Sequence, residues 1–230
     1  MPYFFDSYYL ILVVPALLVA LWAQANVKGT FNRYREIYNN RGLTGAEAAR
    51  RILDQNGLYN VSVEHIKGSL SDHFDPSAGV IRLSDGVYGS TSIAAVGVAA
   101  HEAGHAVQYG EGYVPIKVRS AIIPVTNIGS QLSFPLIILG LVMSFEPLVL
   151  TGIVLFSTVT VFQLITLPVE LDASRRALSI LQSQYLLSDE ELKGASKVLR
   201  AAALTYVAAL IVAVAQLLRL ILRYGRNSRR

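Results

Sequence analysis

The chain has 230 residues, of which 53% are hydrophobic and only 16% are charged. Soluble globular domains carry roughly 25% charged residues, so this composition excludes an ordinary soluble globule and indicates that part of the chain lies in a membrane. The small net charge of +4 and the many apolar residues exclude a disordered chain. Because there is no cysteine, disulfide scaffolds and thiolate metal sites are excluded as well.

Most of the apolar residues fall in four segments that contain no Asp, Glu, Lys or Arg: 7–27, 120–145, 147–169 and 201–218. Each is close to or above the roughly 18–20 residues that a helix needs to cross the hydrocarbon core. They predict four transmembrane helices, with a hairpin around Glu146. The first segment is not typical of a signal peptide, since no Lys or Arg precedes it. Nearby aromatic residues favour an interfacial belt instead: Tyr3, Phe4, Phe5, Tyr8 and Tyr9.

Lys and Arg are distributed unevenly around these segments. Fifteen of the 20 lie between the first and second or between the third and fourth segments. Because cytoplasmic loops of membrane proteins carry an excess of Lys and Arg, this distribution favours polar regions that face the cytoplasm. The remaining five oppose this orientation and would also suit the binding of anionic lipid headgroups: Arg219, Arg223, Arg226, Arg229 and Arg230.

The polar region 28–119 shows clear local signals. Thr44 and Glu47 form the pattern of a capping box, which predicts a helix that ends near Gly57. Alternation of apolar and polar residues predicts two short strands, at 61–66 and 80–84, with turn residues at 75–79 between them. Ser90, Thr91 and Ser92 offer an N-cap for a buried helix from Ile93 to about Tyr109.

This last helix contains the motif His101-Glu102-Ala103-Gly104-His105. Two histidines at i and i+4 lie on one face of a helix, so both imidazoles reach one metal ion. Glu102 is rotated away from that pair and suits a general base that deprotonates a zinc-activated water and then protonates the leaving amine. The alternative is a helix whose polar residues only form hydrogen bonds in the core, which would be costly beside such an apolar run.

A catalytic zinc of this kind needs a third protein ligand. The candidates are His65, His73, Glu170 and Asp172. Glu170 is the preferred ligand, since it follows a membrane segment directly and completes a His₂Glu ligand set. His65 and His73 lie in a predicted strand and a loop, where a surface or structural role is the more common one.

Four stretches of this sequence resemble the YugP-type membrane zinc metallopeptidases: LSDHFDP at 70–76, VIRLS at 80–84, AAVGVAAHEAGHAVQ at 94–108 and PVELDASRRAL at 168–178. The resemblance extends from about residue 1 to 222. It implies a bacterial integral-membrane neutral zinc peptidase.

A more distant resemblance is to the HtpX and CAAX-processing gluzincins, whose third ligand lies in the pattern Glu-x-x-Ala-Asp-Arg. Glu170, Ala173 and Arg175 match that pattern, whereas Ser174 stands in place of the Asp that usually supports a ligand histidine. Asp172 is the alternative for this support. The resemblance also implies that Arg175 or Arg176 stabilises the oxyanion, although either could equally be an anchoring charge.

The same resemblance implies that one strand holds the substrate at the edge of the sheet by β-augmentation. The residues assigned to this edge strand are Val80, Ile81, Arg82, Leu83 and Ser84.

Together these signals predict a mainly α-helical membrane protein, with about four transmembrane helices and a small α+β, zincin-like (minigluzincin) core that bears a short β-hairpin. The predicted segments are 1–27 (helix 1), 28–119 (metallopeptidase region), 120–169 (helices 2 and 3), 170–200 (third ligand) and 201–230 (helix 4 and basic tail). The predicted function is a zinc endopeptidase of the bacterial plasma membrane with its active site on the cytoplasmic side and one catalytic Zn²⁺.

The expected partners are the lipid bilayer and a peptide or membrane-protein substrate, and a homo-oligomer is compatible with the sequence. Nucleic acid is not expected, because the basic residues flank membrane segments without interleaved aromatic residues. A non-catalytic membrane scaffold with a structural zinc site is the alternative. A channel accessory is disfavoured, since the four segments contain no charged residue to mark an ion path.

Overall fold

The computed structural model describes residues 6–224. The predictions for Tyr3, Phe4, Phe5, Arg226, Arg229 and Arg230 lie outside this range. A π-helical turn, Tyr9–Val13, leads into helix α1. The helices are α1 (Val14–Tyr34), α2 (Gly45–Gln55), α3 (Ile93–Gly110), α4 (Val114–Val142), α5 (Glu146–Ser183) and α6 (Asp189–Tyr224). The strands are β1 (Ser62–His65), β2 (His73–Asp75) and β3 (Val80–Leu83).

Within residues 6–224, four helical spans are long and apolar enough to cross a membrane, which confirms the predicted number of about four. They are Tyr9–Tyr34, Val114–Val142, Glu146–Ser183 and Asp189–Tyr224. Each extends beyond its uncharged segment at one end or at both. Pro124, Pro135 and Pro168 lie inside these helices, where neighbouring helices and side chains can satisfy the freed backbone groups.

The chain divides into two compact units, and the first is built from apolar helical segments. It comprises the residues up to 24, residues 118–168 and those from 205 onward. Glycines let α4 and α5 approach closely: a Cβ on Gly129 would lie 2.6 Å from the Leu155 carbonyl oxygen, and one on Gly152 would lie 2.6 Å from that of Ser133. Such small-residue contacts are a usual means of helix packing in membranes.

The second unit, residues 25–117 and 169–204, contains a three-stranded sheet with the order β1-β3-β2. β1 runs parallel to β3, with Ser62 opposite Val80, whereas β2 runs antiparallel to it, with His73 opposite Arg82. The hairpin is therefore formed by β2 and β3. The two strands that the sequence predicts are parallel neighbours.

The prediction of an edge strand at Val80, Ile81, Arg82, Leu83 and Ser84 is wrong. β3 is the central strand, so its backbone groups are used by partners on both sides. Val80, Ile81 and Leu83 are buried accordingly. Among the described residues the edges are β1 and β2, and β2 has only three residues, too few for alternation in the sequence to reveal it.

The predicted helix starts are confirmed. The Thr44 hydroxyl accepts a hydrogen bond from the Glu47 amide at 3.2 Å, and the Glu47 carboxylate accepts one from the Thr44 amide at 2.9 Å, which completes the capping box of α2. Gly57 follows the helix with a φ of +72°, a conformation that favours glycine. Ser92 caps α3 by accepting from the Ala95 amide at 3.2 Å.

α3 is lined by small residues that bring it close to α5 and α6. Gly97 faces Ala195, at 3.4 Å from an added Cβ to the Ala195 Cβ. A Cβ on Gly104 would lie only 2.7 Å from the Ala173 carbonyl oxygen, so the position requires glycine. This contact holds the middle of α3 against residues 170–174 of α5. It brings the two predicted histidine ligands of α3 close to Glu170 of α5.

Candidate metal centre

The structure brings His101, His105 and Glu170 together into one cluster. One Glu170 carboxylate oxygen (Oε2) lies 3.1 Å from Nε2 of His101 and 3.3 Å from Nε2 of His105. One candidate ligand atom from each of the three residues lies within 4.8 Å of the other two, so together they could hold a metal ion. The Glu170 side chain is only 2% exposed.

The chemistry of this cluster fits zinc. Two imidazole nitrogens and one carboxylate oxygen are a usual protein ligand set for a catalytic zinc ion. A carboxylate that is almost fully buried needs a nearby cation or hydrogen-bond donors, and a metal ion between the three residues would meet that need. The two histidine rings stand edge to face, with centroids 4.6 Å apart, and both present Nε2 to the carboxylate.

Ser174 supports the first histidine. Its hydroxyl oxygen lies 3.1 Å from Nδ1 of His101. If Nε2 bound a metal, Nδ1 would carry the proton and donate it to this oxygen, which would fix the ring tautomer and orientation. The serine that replaces the expected Asp therefore lies where a supporting group is needed.

The second histidine is supported by Gln108, which the sequence interpretation missed. The Gln108 side-chain oxygen lies 3.0 Å from Nδ1 of His105. Its amide nitrogen donates to the carboxylate of Asp172 at 2.8 Å and to the Val169 carbonyl at 2.9 Å. Gln108 is completely buried. Its position three residues after His105, on the same face of α3, was the available signal.

Asp172 lies outside the His–His–Glu cluster and contacts Gln108 rather than a histidine. Arg175 and Arg176 both donate to its carboxylate, the latter at 2.6 Å. Arg176 also pairs with Glu111 at 2.5 Å. Among the described residues, the ion pairs of both arginines are thus with carboxylates outside the His–His–Glu cluster.

Glu102 is buried beside the cluster but does not belong to it. One of its carboxylate oxygens accepts a hydrogen bond from the Phe74 amide of β2 at 3.0 Å. Burial raises the pKa of Glu102 to about 7. The side chain is thereby held at a defined place between α3 and the edge strand β2.

The other ligand candidates lie elsewhere. Nε2 of His65 lies 2.7 Å from the Asp85 carboxylate, and this pair is largely exposed. Nδ1 of His73 lies 2.8 Å from the Ser71 carbonyl oxygen. Within residues 6–224 the His101, His105 and Glu170 cluster is the only group of three or more His, Asp or Glu that could hold a metal.

A buried His–His–Glu cluster in a chain with four membrane-spanning helices indicates a membrane metalloprotein with a zinc-type ligand set. Residues 9–225 match the family described as "putative neutral zinc metallopeptidase", and the chain belongs to this family. Zinc is the metal of the family. The chain is also 47% identical over 221 residues to "putative membrane protease YugP" of Bacillus subtilis (strain 168), covering 95% of this chain and 98% of that protein. No solved structure matches this chain.

Replacing Gln108 by Leu should weaken zinc binding by about 10- to 100-fold, the usual effect of removing a group that orients a ligand histidine. Leucine has a similar size but cannot hold Nδ1 of His105. The measurement is competition for zinc between the purified variant and a chromogenic chelator.

The matched control is Gln182→Leu, the same exchange at an exposed position of α5, which should leave the zinc affinity unchanged. Equal affinities in Gln108→Leu and the wild type would show that Gln108 does not orient His105.

Proposed function

We propose that this protein is a zinc-dependent endopeptidase of the bacterial plasma membrane, which hydrolyses peptide bonds at the membrane surface from a gluzincin-type core. Membership of a zinc peptidase family and the likeness to a membrane protease support the reaction class. The four membrane-spanning helices support the location. The division of the chain into functional segments, with boundaries after residues 27, 119, 169 and 200, is part of the same proposal.

In this proposal His101, His105 and Glu170 hold one Zn²⁺. When bound, zinc lowers the pKa of a coordinated water towards neutrality and polarises a carbonyl group. Ser174 and Gln108 hold the two imidazoles in the tautomer that presents Nε2. Arg175 and Arg176 hold Asp172 in place, and Asp172 in turn holds Gln108.

Glu102 acts as general base and then as general acid. Its carboxylate accepts the proton of the attacking water and later passes it to the amine that leaves when the peptide bond breaks. The observation that carries the proposal is the placement of this carboxylate, buried beside the His–His–Glu cluster and held by the Phe74 amide. A structural zinc site has no use for a second buried carboxyl group there, because burial is costly.

The substrate pairs along β2 in extended form. β2 is an edge of the sheet, and its Phe74 amide already points to Glu102. An extended peptide can add to such an edge through main-chain hydrogen bonds, which would lead its backbone past the general base. This assignment replaces the edge at 80–84 that the sequence had suggested.

Glu102→Gln should retain zinc and lose at least about 100-fold in cleavage rate, because an amide cannot accept the proton. Zinc content and hydrolysis of a fluorogenic peptide are measured on the same preparation. Glu190→Gln, at an exposed site where the carboxylate pairs with Lys193, should behave as the wild type. Unchanged cleavage by Glu102→Gln would refute the catalytic role and favour a structural zinc site.

The substrates are proteins or peptides at the membrane. A membrane-tethered segment should be cut about tenfold or more faster than the same unfolded segment in solution, since tethering raises its effective concentration at the site. The comparison uses purified enzyme in liposomes and one cleavable sequence with or without a lipid anchor. Equal cleavage rates for the tethered and the soluble form would refute this part of the proposal.

The active site faces the cytoplasm, which the excess of Lys and Arg in residues 28–119 supports. Since the chain has no cysteine, a single Ser77→Cys in the β2–β3 turn reports its side cleanly. A membrane-impermeant maleimide should label it only after the cells are opened, whereas Met143→Cys between α4 and α5 should react in intact cells. The opposite labelling pattern would place the site outside.

A further inference from the structure

A basic cavity lies between α1 and α6 in the second unit, apart from the metal cluster. Its volume is about 280 Å³. The lining residues are spaced by three or four positions on each helix, so that each helix contributes one face. They include Asn26, Thr30 and Arg33 from α1 and Lys197, Arg200 and Leu204 from α6.

Within the described part of the chain, the three cations of this cavity have no acidic partner. Among the described residues no carboxylate oxygen lies within 4.0 Å of Arg33, Lys197 or Arg200, and no Asp or Glu lines the cavity. Arg33 instead has its guanidinium carbon 5.8 Å from the centre of the Tyr34 ring, which also lines the cavity.

Other arginines of the same unit behave differently. Arg50 pairs with Asp54 at 2.8 Å and Arg82 with Asp75 at 2.9 Å. Around a second cavity, Arg176 pairs with both Asp172 and Glu111. All three side chains are exposed to solvent, so water screens their mutual repulsion. Gathered without a carboxylate beside them, they still create a positive potential in the α1–α6 cavity, which favours an anion supplied from outside the chain.

The sequence places this cavity at the end of two apolar segments. The uncharged segment 7–27 ends one residue after Asn26, and the segment 201–218 begins directly after Arg200. A membrane helix leaves the hydrocarbon core where its uncharged segment ends, and the phosphate groups of the lipids lie at that level. Leu204 and Ala201 add apolar surface on the membrane side of the cations.

We propose that the α1–α6 cavity, with Arg33, Lys197 and Arg200, is a binding site for the phosphate of an anionic phospholipid. Arginine offers paired N–H donors that match phosphate oxygens, and lysine adds a point charge. The Thr30 hydroxyl and the Asn26 amide can donate to the remaining oxygens. The site fixes a lipid to the protein at a defined place, beyond the general attraction of a basic surface to an anionic membrane.

The test uses Trp22, the only tryptophan of the chain, which lies one helical turn before Asn26 and is exposed. The purified protein is reconstituted in vesicles that contain brominated phosphatidylglycerol or brominated phosphatidylcholine, whose bromine atoms quench tryptophan fluorescence. The wild type should prefer phosphatidylglycerol by about fivefold or more, the effect of roughly one well-placed cation.

The double variant Arg33→Gln/Arg200→Gln should lose this preference, whereas Arg33→Lys/Arg200→Lys should keep most of it. The matched control is Lys28→Gln/Arg35→Gln, which also removes two charges from this end of the molecule but does not alter the cavity. This control should keep the preference. Zinc content equal to that of the wild type shows that each variant is folded.

Three results would overturn the proposal. Equal loss of the preference for phosphatidylglycerol in the cavity variant and in the Lys28/Arg35 control would mean that the preference comes only from general surface charge. The absence of any preference in the wild type would remove the site. Loss of the preference on addition of inorganic phosphate, at an ionic strength held constant with chloride, would identify a site for free phosphate rather than for a lipid.

Discussion

The close contact of α3 with α5 at Gly104 and Ala173 is the constraint on which the candidate site depends. Only a glycine lets the two backbones come this near, and their approach sets Nε2 of both histidines within 3.3 Å of the Glu170 carboxylate. A side chain at position 104 would separate the ligands that a single ion must join. The small residues of α3 therefore serve a chemical purpose as well as a packing one, because they allow donors from two distant parts of the chain to be buried together.

Burial of charge follows from that contact and is balanced differently in each region. Glu170 lies between two imidazoles, where a bound zinc ion would complete the balance. Asp172 is held by two arginines and accepts a hydrogen bond from the side-chain nitrogen of Gln108. The side-chain oxygen of Gln108 in turn contacts Nδ1 of His105. Each group orients the next, so the ring of His105 is set by a chain that begins at the surface. In the α1–α6 cavity the three cations are exposed and have no carboxylate partner within residues 6–224, and the proposed lipid phosphate would neutralise them.

β2 is the strand of the sheet that contacts Glu102 beside the His–His–Glu cluster. Among the described strands it is an edge, with a strand partner on one side only, and its Phe74 amide holds Glu102. Alternation of apolar residues correctly predicted β1 and β3 but could not show that they are parallel neighbours. The order of the strands depends on how the segment 66–79 folds back, and contacts between residues distant in the sequence determine this. β2 has only three residues, which is too few for alternation in the sequence to predict a strand.

Features that depend on neighbouring residues were determined by the sequence itself. Four uncharged segments of sufficient length predict four membrane helices, the caps at Thr44 and Ser92 predict where α2 and α3 begin, and the spacing of His101 and His105 places both on one helical face. Features that depend on contacts between distant residues were decided only by the tertiary structure. These are the central place of β3, the support of His105 by Gln108 and the position of Arg33 and Arg200 in one cavity. A sequence records local spacing directly, whereas the approach of two helices depends on the packing of every residue between them.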